Sequence, residues 1–99
     1  MDLFERNIDS LKKLCDQYRV LKLYVFGSAI SDKFRKDSDI DFLVTFDAVE
    51  LNDYADNYFD FKFSLEDLFN RGIDLLEEKS IRNPFLKQSI DTSKRLIYG

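Results

Sequence analysis

The chain has 99 residues, 44% of them hydrophobic and 15% aromatic, with a net charge of −4. That is the length of one domain, too apolar for a disordered chain, and its acidity argues against a broad nucleic-acid-binding surface and for a small-molecule or protein substrate. A single cysteine, Cys15, and the absence of histidine exclude a disulfide framework, Cys/His zinc sites and His-based triads, so any general base is a carboxylate.

In chain order, Leu3, Phe4, Ile8, Leu11, Cys15 and Tyr18 recur at helical spacing, which predicts one helix from Asp2 to Tyr18 with Asp2 as N-cap. The N-terminus lacks the cationic and apolar segments of a secretory signal, and no apolar run approaches the ~18 residues of a membrane span. The expected location is therefore cytoplasmic. Leu21 to Phe26 (LKLYVF) reads as a strand ended by Gly27, and Ser28 to Arg35 as one or two helical turns. Ile40 to Phe46 (IDFLVTF) is a second strand, apolar enough to be central. A helix is predicted over Asn52 to Asn70, its face carrying Leu51, Tyr54, Ala55, Tyr58, Phe61, Leu65, Leu68 and Phe69. FDFKF at 59–63 also alternates with period two, but length favours the helix. Arg71-Gly72 breaks it, and Ile73 to Leu76 is a third strand. Asn83-Pro84 opens a last helix, expected to run from Phe85 to Leu96. The fold class is α/β (α+β): a mixed sheet of three strands, or four, flanked by helices in one domain over 1–99.

Chemistry gathers at the strand ends. Asp39 and Asp41, two apart at the start of a strand, point to one face, with Ile40 directed to the other. Such a pair repels unless a cation neutralises it, and magnesium suits all-oxygen ligands. Asp74 is an acid between the apolar Ile73 and Leu75. If its strand lies beside the second, three carboxylates converge and could hold two metal ions with a nucleoside triphosphate. Gly27-Ser28 would let a phosphate approach the backbone, with Lys33, Arg35 and Lys36 following. Each feature alone is weak, because Asp-Ser-Asp is often a solvated turn and Gly-Ser merely a turn. Together, Gly-Ser, ten residues and Asp-x-Asp should occur by chance in about one chain in a thousand of this length.

GSAISDKFRKDSDIDFLV resembles the signature of the minimal nucleotidyltransferase family, a compact branch of the DNA polymerase β-like superfamily. The later helix, basic-Gly step, Asp-bearing strand and Asn-Pro resemble that family's second half, so the likeness runs from about Leu21 to Tyr98. It implies that Asp39 and Asp41 bind both Mg²⁺ ions. Asp74 would help hold the catalytic ion and orient or deprotonate the attacking hydroxyl, and Gly27 and Ser28 would grip the triphosphate. The chain departs from the family where many members carry arginine just after Gly-Ser and again two residues on; here Ala29 and Ser31 stand. The resemblance further implies an antitoxin that moves AMP from ATP, or another NMP from its NTP, onto a tyrosine hydroxyl of a HEPN-domain toxin. The alternative is a non-catalytic module of the same fold that neutralises or regulates a partner by contact; an antibiotic-modifying enzyme would need an added domain. Phe59 and Phe63 lie ~80–120° from Leu51 on the long helix, outside its main stripe. They either widen the core or form a patch for a protein partner or a homo-oligomer.

Overall fold

The computed structural model describes residues 2–99, with side chains from Leu3 onward; the capping role expected of Asp2 falls outside those side chains. The order is α1 (Asp2–Arg6), α2 (Ile8–Gln17), β1 (Val20–Phe26), β2 (Ile40–Phe46), α3 (Leu51–Phe69), β3 (Ile73–Glu77), α4 (Pro84–Ser93) and β4 (Arg95–Tyr98). The four strands form one sheet in the order β3-β2-β1-β4. β1 runs antiparallel to both β2 and β4, and β2 runs parallel to β3. β2 is thus central, as its apolar run requires.

The first helix is interrupted. Asn7 turns its side chain back onto the Leu3 carbonyl (2.8 Å), and its own N–H reaches the Phe4 carbonyl (3.2 Å). A side-chain amide that bonds the backbone four residues earlier competes with the helical ladder. The apolar stripe survives, with Phe4, Leu11 and Cys15 all buried.

The core lies between α1–α3 and one face of the sheet and is aromatic. Phe4, Phe42 and Phe69 form a three-ring cluster with centroids 5.6–6.0 Å apart. Phe61 packs against Tyr18 and Phe46. Ile40, Phe42, Val44, Ile73 and Leu75 reach this core from the sheet. By alternation, Asp41 and Leu43 face the other side.

Residue 94 is extended (φ −63°, ψ 148°), so the last helix stops at Ser93 rather than reaching Leu96. Arg95–Tyr98 instead pairs with β1, supplying the fourth strand. Pairing satisfies backbone groups along an otherwise open sheet edge, which one more helical turn would leave unpaired. The start of α4 is as expected: Asn83 caps it, its Oδ1 accepting from Phe85 N (2.9 Å) and Leu86 N (3.3 Å) ahead of Pro84.

Candidate active site

The antiparallel register of β1 and β2 sets Phe26 opposite Asp41. Gly27, one residue past the strand, therefore arrives beside the Asp41 carboxylate. Gly27 has φ +73°, and a Cβ there would overlap Asp41 Oδ2. The ten-residue spacer between Gly-Ser and Asp-x-Asp is thus the length of chain that leaves β1 and returns in register. Gly27 is required twice over, by its left-handed φ and by the oxygen it accommodates.

The parallel register of β2 and β3 sets Asp41 directly opposite Asp74. The two carboxyls are within hydrogen-bonding reach, and Asp39 is close enough to act on Asp41 electrostatically. Burial, the Asp74 charge and then the Asp39 charge hold the Asp41 carboxyl above the usual carboxylate range. Asp39 and Asp74 are exposed, while Asp41 is half-buried. The three are neighbours on one face, but among the described residues no trio of acidic side chains closes into a ready-made metal cage. The donor set nonetheless fits Mg²⁺: all ligands are hard oxygens, and mutual repulsion across Asp41–Asp74 is what a divalent cation would relieve.

Ser28 is placed differently from expectation. It is the second residue of a four-residue 3-10 turn, Gly27–Ile30, with turns and bends after it. Hydroxyls end this turn. The Ser28 carbonyl accepts from both the N–H and the Oγ of Ser31 (3.0 Å each), and the Arg35 N–H donates to Ser38 Oγ (3.0 Å). Ser28 thus follows Gly27, the residue that lies against the Asp41 carboxylate, without a full helix behind it.

Two contributors were visible in the sequence only as a helix break. A Cβ at position 72 would overlap Asp39 Oδ1, so Gly72 opens the floor on which Asp39 lies. The Gly72 carbonyl also accepts from Ile40 N (3.1 Å). Beside it, Arg71 donates Nη1 to the carbonyls of Arg35 and Ser38 (3.1 Å each), and its guanidinium lies 4.5 Å from the centre of the Phe34 ring. The segment that delivers Asp39 is therefore tied to the end of α3. Size does not single the site out: a cavity of about 360 Å³ near Phe46, Tyr54 and Lys79 opens at the far end of β2.

The family model described as "Polymerase beta, Nucleotidyltransferase" matches residues 9–99. The chain belongs to the polymerase β nucleotidyltransferase family. A relative from Methanocaldococcus jannaschii named "Putative protein adenylyltransferase" is 36% identical over 87 residues, covering 88% of this chain and 84% of the relative. Among solved structures, a "putative minimal nucleotidyltransferase" is 26% identical with a TM-score of 0.77, covering 96% of this chain and 95% of that one. A tri-AMPylated HEPN toxin of Shewanella oneidensis in complex with MNT antitoxin shares the fold, with 21% identity and a TM-score of 0.61 over 96% of this chain and 71% of that one. This nucleotidyltransferase carries the fold in four strands, its three aspartates at one end of β2 and β3.

Proposed function

We propose that this nucleotidyltransferase moves AMP from ATP onto a hydroxyl of a partner protein, a tyrosine of a HEPN-domain toxin, and thereby acts as its antitoxin. The observation that carries the reading is the in-register pairing of Asp41 with Asp74, with Asp39 alongside and Gly27 opened against Asp41. The relative's name and the AMPylated toxin complex support the nucleotide and the acceptor class.

Asp39 and Asp41 would hold the magnesium, with Asp74 sharing the catalytic ion. When bound, Mg²⁺ would screen the carboxylates and polarise the phosphoryl oxygens. Gly27 and Ser28 would let the triphosphate lie against the turn. Asp74, the exposed member of the pair, would accept the acceptor hydroxyl's proton. The acceptor oxygen then bonds to the α-phosphorus as the bond to the β-phosphate oxygen breaks, and pyrophosphate leaves. The two products are the adenylylated hydroxyl and pyrophosphate.

The test is transfer of α-labelled AMP to the candidate toxin in the presence of magnesium, by wild type and by Asp41→Asn. Labelled toxin with wild type and none with the variant is the expected result. Ala29 and Ser31, standing where arginines are common, favour the second reading of neutralisation by contact alone. An unlabelled toxin silenced equally by both proteins would establish that reading instead.

A further inference from the structure

At the end of β2 remote from the aspartates, a cavity of about 360 Å³ opens between the strand ends and the start of α3. Asp41 and Phe46 are five residues apart on that strand, or about 16 Å, so this cavity is no part of the site described above. Its lining includes Phe46, Asp47, Tyr54, Glu77 and Lys79. The Glu77 side chain is only 14% exposed, yet its ion-pair partner among the described residues, Lys79 Nζ, stays 3.9 Å away. That is too long for a direct hydrogen bond, and a largely sheltered carboxylate is left without close charge compensation. The Tyr54 hydroxyl lies within reach of Glu77 but is neutral and does not cancel its charge.

Lys79 itself serves as the cation of this cavity. Its ammonium lies 4.2 Å from the centre of the Tyr54 ring, and Phe46 meets that ring edge-on with centroids 5.9 Å apart. An aromatic face beside a carboxylate is a cation-binding arrangement, and the ammonium resting there shows which charge it selects. Lys79 is loosely held, because its side chain is 69% exposed and little burial is lost when it leaves. A guanidinium suits the place better. It is planar, stacks on an aromatic face, and its fork bonds both oxygens of a carboxylate. The rim indicates what carries that guanidinium. Leu51 stands at the cavity wall and is 89% exposed, with the exposed acids Glu50 and Asp53 close to it in the chain. An exposed leucine among acids suits the surface of a basic protein, whereas a free small cation would leave the leucine uncovered.

We infer that this cavity is a docking pocket for an arginine side chain on the surface of a partner protein, with Lys79 as the internal group that the arginine displaces. The pocket stands on its own lining and does not require the transferase reading.

The experiment follows backbone amide shifts of the full chain during titration with the capped tripeptide acetyl-Ala-Arg-Ala-amide. The same titration is run with its citrulline analogue, which keeps the shape and loses the charge, and with spermidine. The proteins are wild type, Lys79→Ala, Lys79→Ala/Glu77→Gln and Lys12→Ala, the last removing an exposed charge on α2. The arginine peptide should shift the amides of Asp47, Ala48, Tyr54, Glu77 and Lys79 and leave those of Asp39, Asp41 and Asp74 in place. Lys79→Ala should bind it about five-fold or more tighter than wild type, because the competing internal cation is gone. Lys12→Ala should match wild type, and the citrulline peptide should not bind. The double variant should lose the gain, provided that its spectrum shows a folded chain; the citrulline and Lys12→Ala results decide the matter if it does not. No shift at the pocket in Lys79→Ala, or equal gains from Lys79→Ala and Lys12→Ala, overturns the inference. Spermidine binding more tightly than the arginine peptide also overturns it, in favour of a free polyamine.

Discussion

At the residue scale, Asp41 carries the site's stored cost. Burial and the facing Asp74 and Asp39 charges raise its carboxyl pKa in the folded state. Its folded form therefore holds a proton more tightly than its unfolded form does. Below the ordinary carboxylate range near ~4 both forms are protonated and no penalty exists; as pH rises through the raised folded value the penalty appears and persists at neutrality. Asp41→Asn should thus stabilise the metal-free protein at pH 7 and lose that advantage near pH 3, as read from denaturant melts at the two pH values. The same variant should lower transfer by about 10²-fold or more, since a group that stabilises developing charge is lost. Magnesium should stabilise wild type at pH 7 and have little effect on the variant. Gly27→Ala should be worse than its size suggests, because φ +73° strains any Cβ and the Cβ would displace the Asp41 carboxylate. Transfer by that variant should fall with Asp41 still present, and a variant with full activity would show that the turn relaxes freely. Cys15 differs from these residues: burial pushes its thiol up to about 12, so it should resist alkylation until the chain unfolds.

At the element scale, the aromatic core sets stability. Phe61 is fully buried between Tyr18 and Phe46, and Phe61→Ala should cost about 3–5 kcal/mol in chemical denaturation. Asn83→Ala should cost about 1 kcal/mol by removing the cap of α4. The strand β2 was legible as a largely apolar run of strand formers and the helix α3 as a five-turn stripe. The break at Asn7 was not, because the stripe runs through it unchanged and only the amide's backward hydrogen bond marks it. Nor was the boundary at Lys94, because Leu96 and Ile97 fit a helix as well as a strand and only the open edge of β1 decides between them. Asp39, Asp41 and Asp74 were legible as acids in apolar strands. The parts played by Arg71 and Gly72 were hidden, since a basic-Gly step reads as a helix end whatever else it supports.

At the scale of the whole molecule, α3 covers the core with only part of its length. Its buried residues are Phe61, Leu65 and Phe69, all in the second half, while Leu51, expected on the buried stripe, is 89% exposed. Phe59 and Phe63 do not complete the core. They are 48% and 54% exposed and stack on each other with centroids 6.2 Å apart. Asp53, Asp56, Asp60 and Asp67 on the same helix are exposed as well. Stacked aromatics beside an acidic sector suit a partner that presents an apolar pocket rimmed by basic side chains. The proposed partner is therefore the acceptor protein. An acceptor protein can be held by surfaces away from the carboxylates, and the stacked Phe59 and Phe63 rings are an exposed apolar surface of this kind on α3. The double variant Phe59→Ser/Phe63→Ser should weaken acceptor binding by about 10²-fold, as loss of paired aromatic anchors does. Its denaturation midpoint should stay close to wild type, because half-exposed rings contribute little to the monomer. Labelling of the acceptor at low concentration should fall in parallel, and recover at high concentration, since the aspartates are untouched. Acceptor binding that survives both substitutions would remove this face from the complex. Loss of a homodimer in sedimentation with acceptor binding intact would give the face to a second copy of the chain instead.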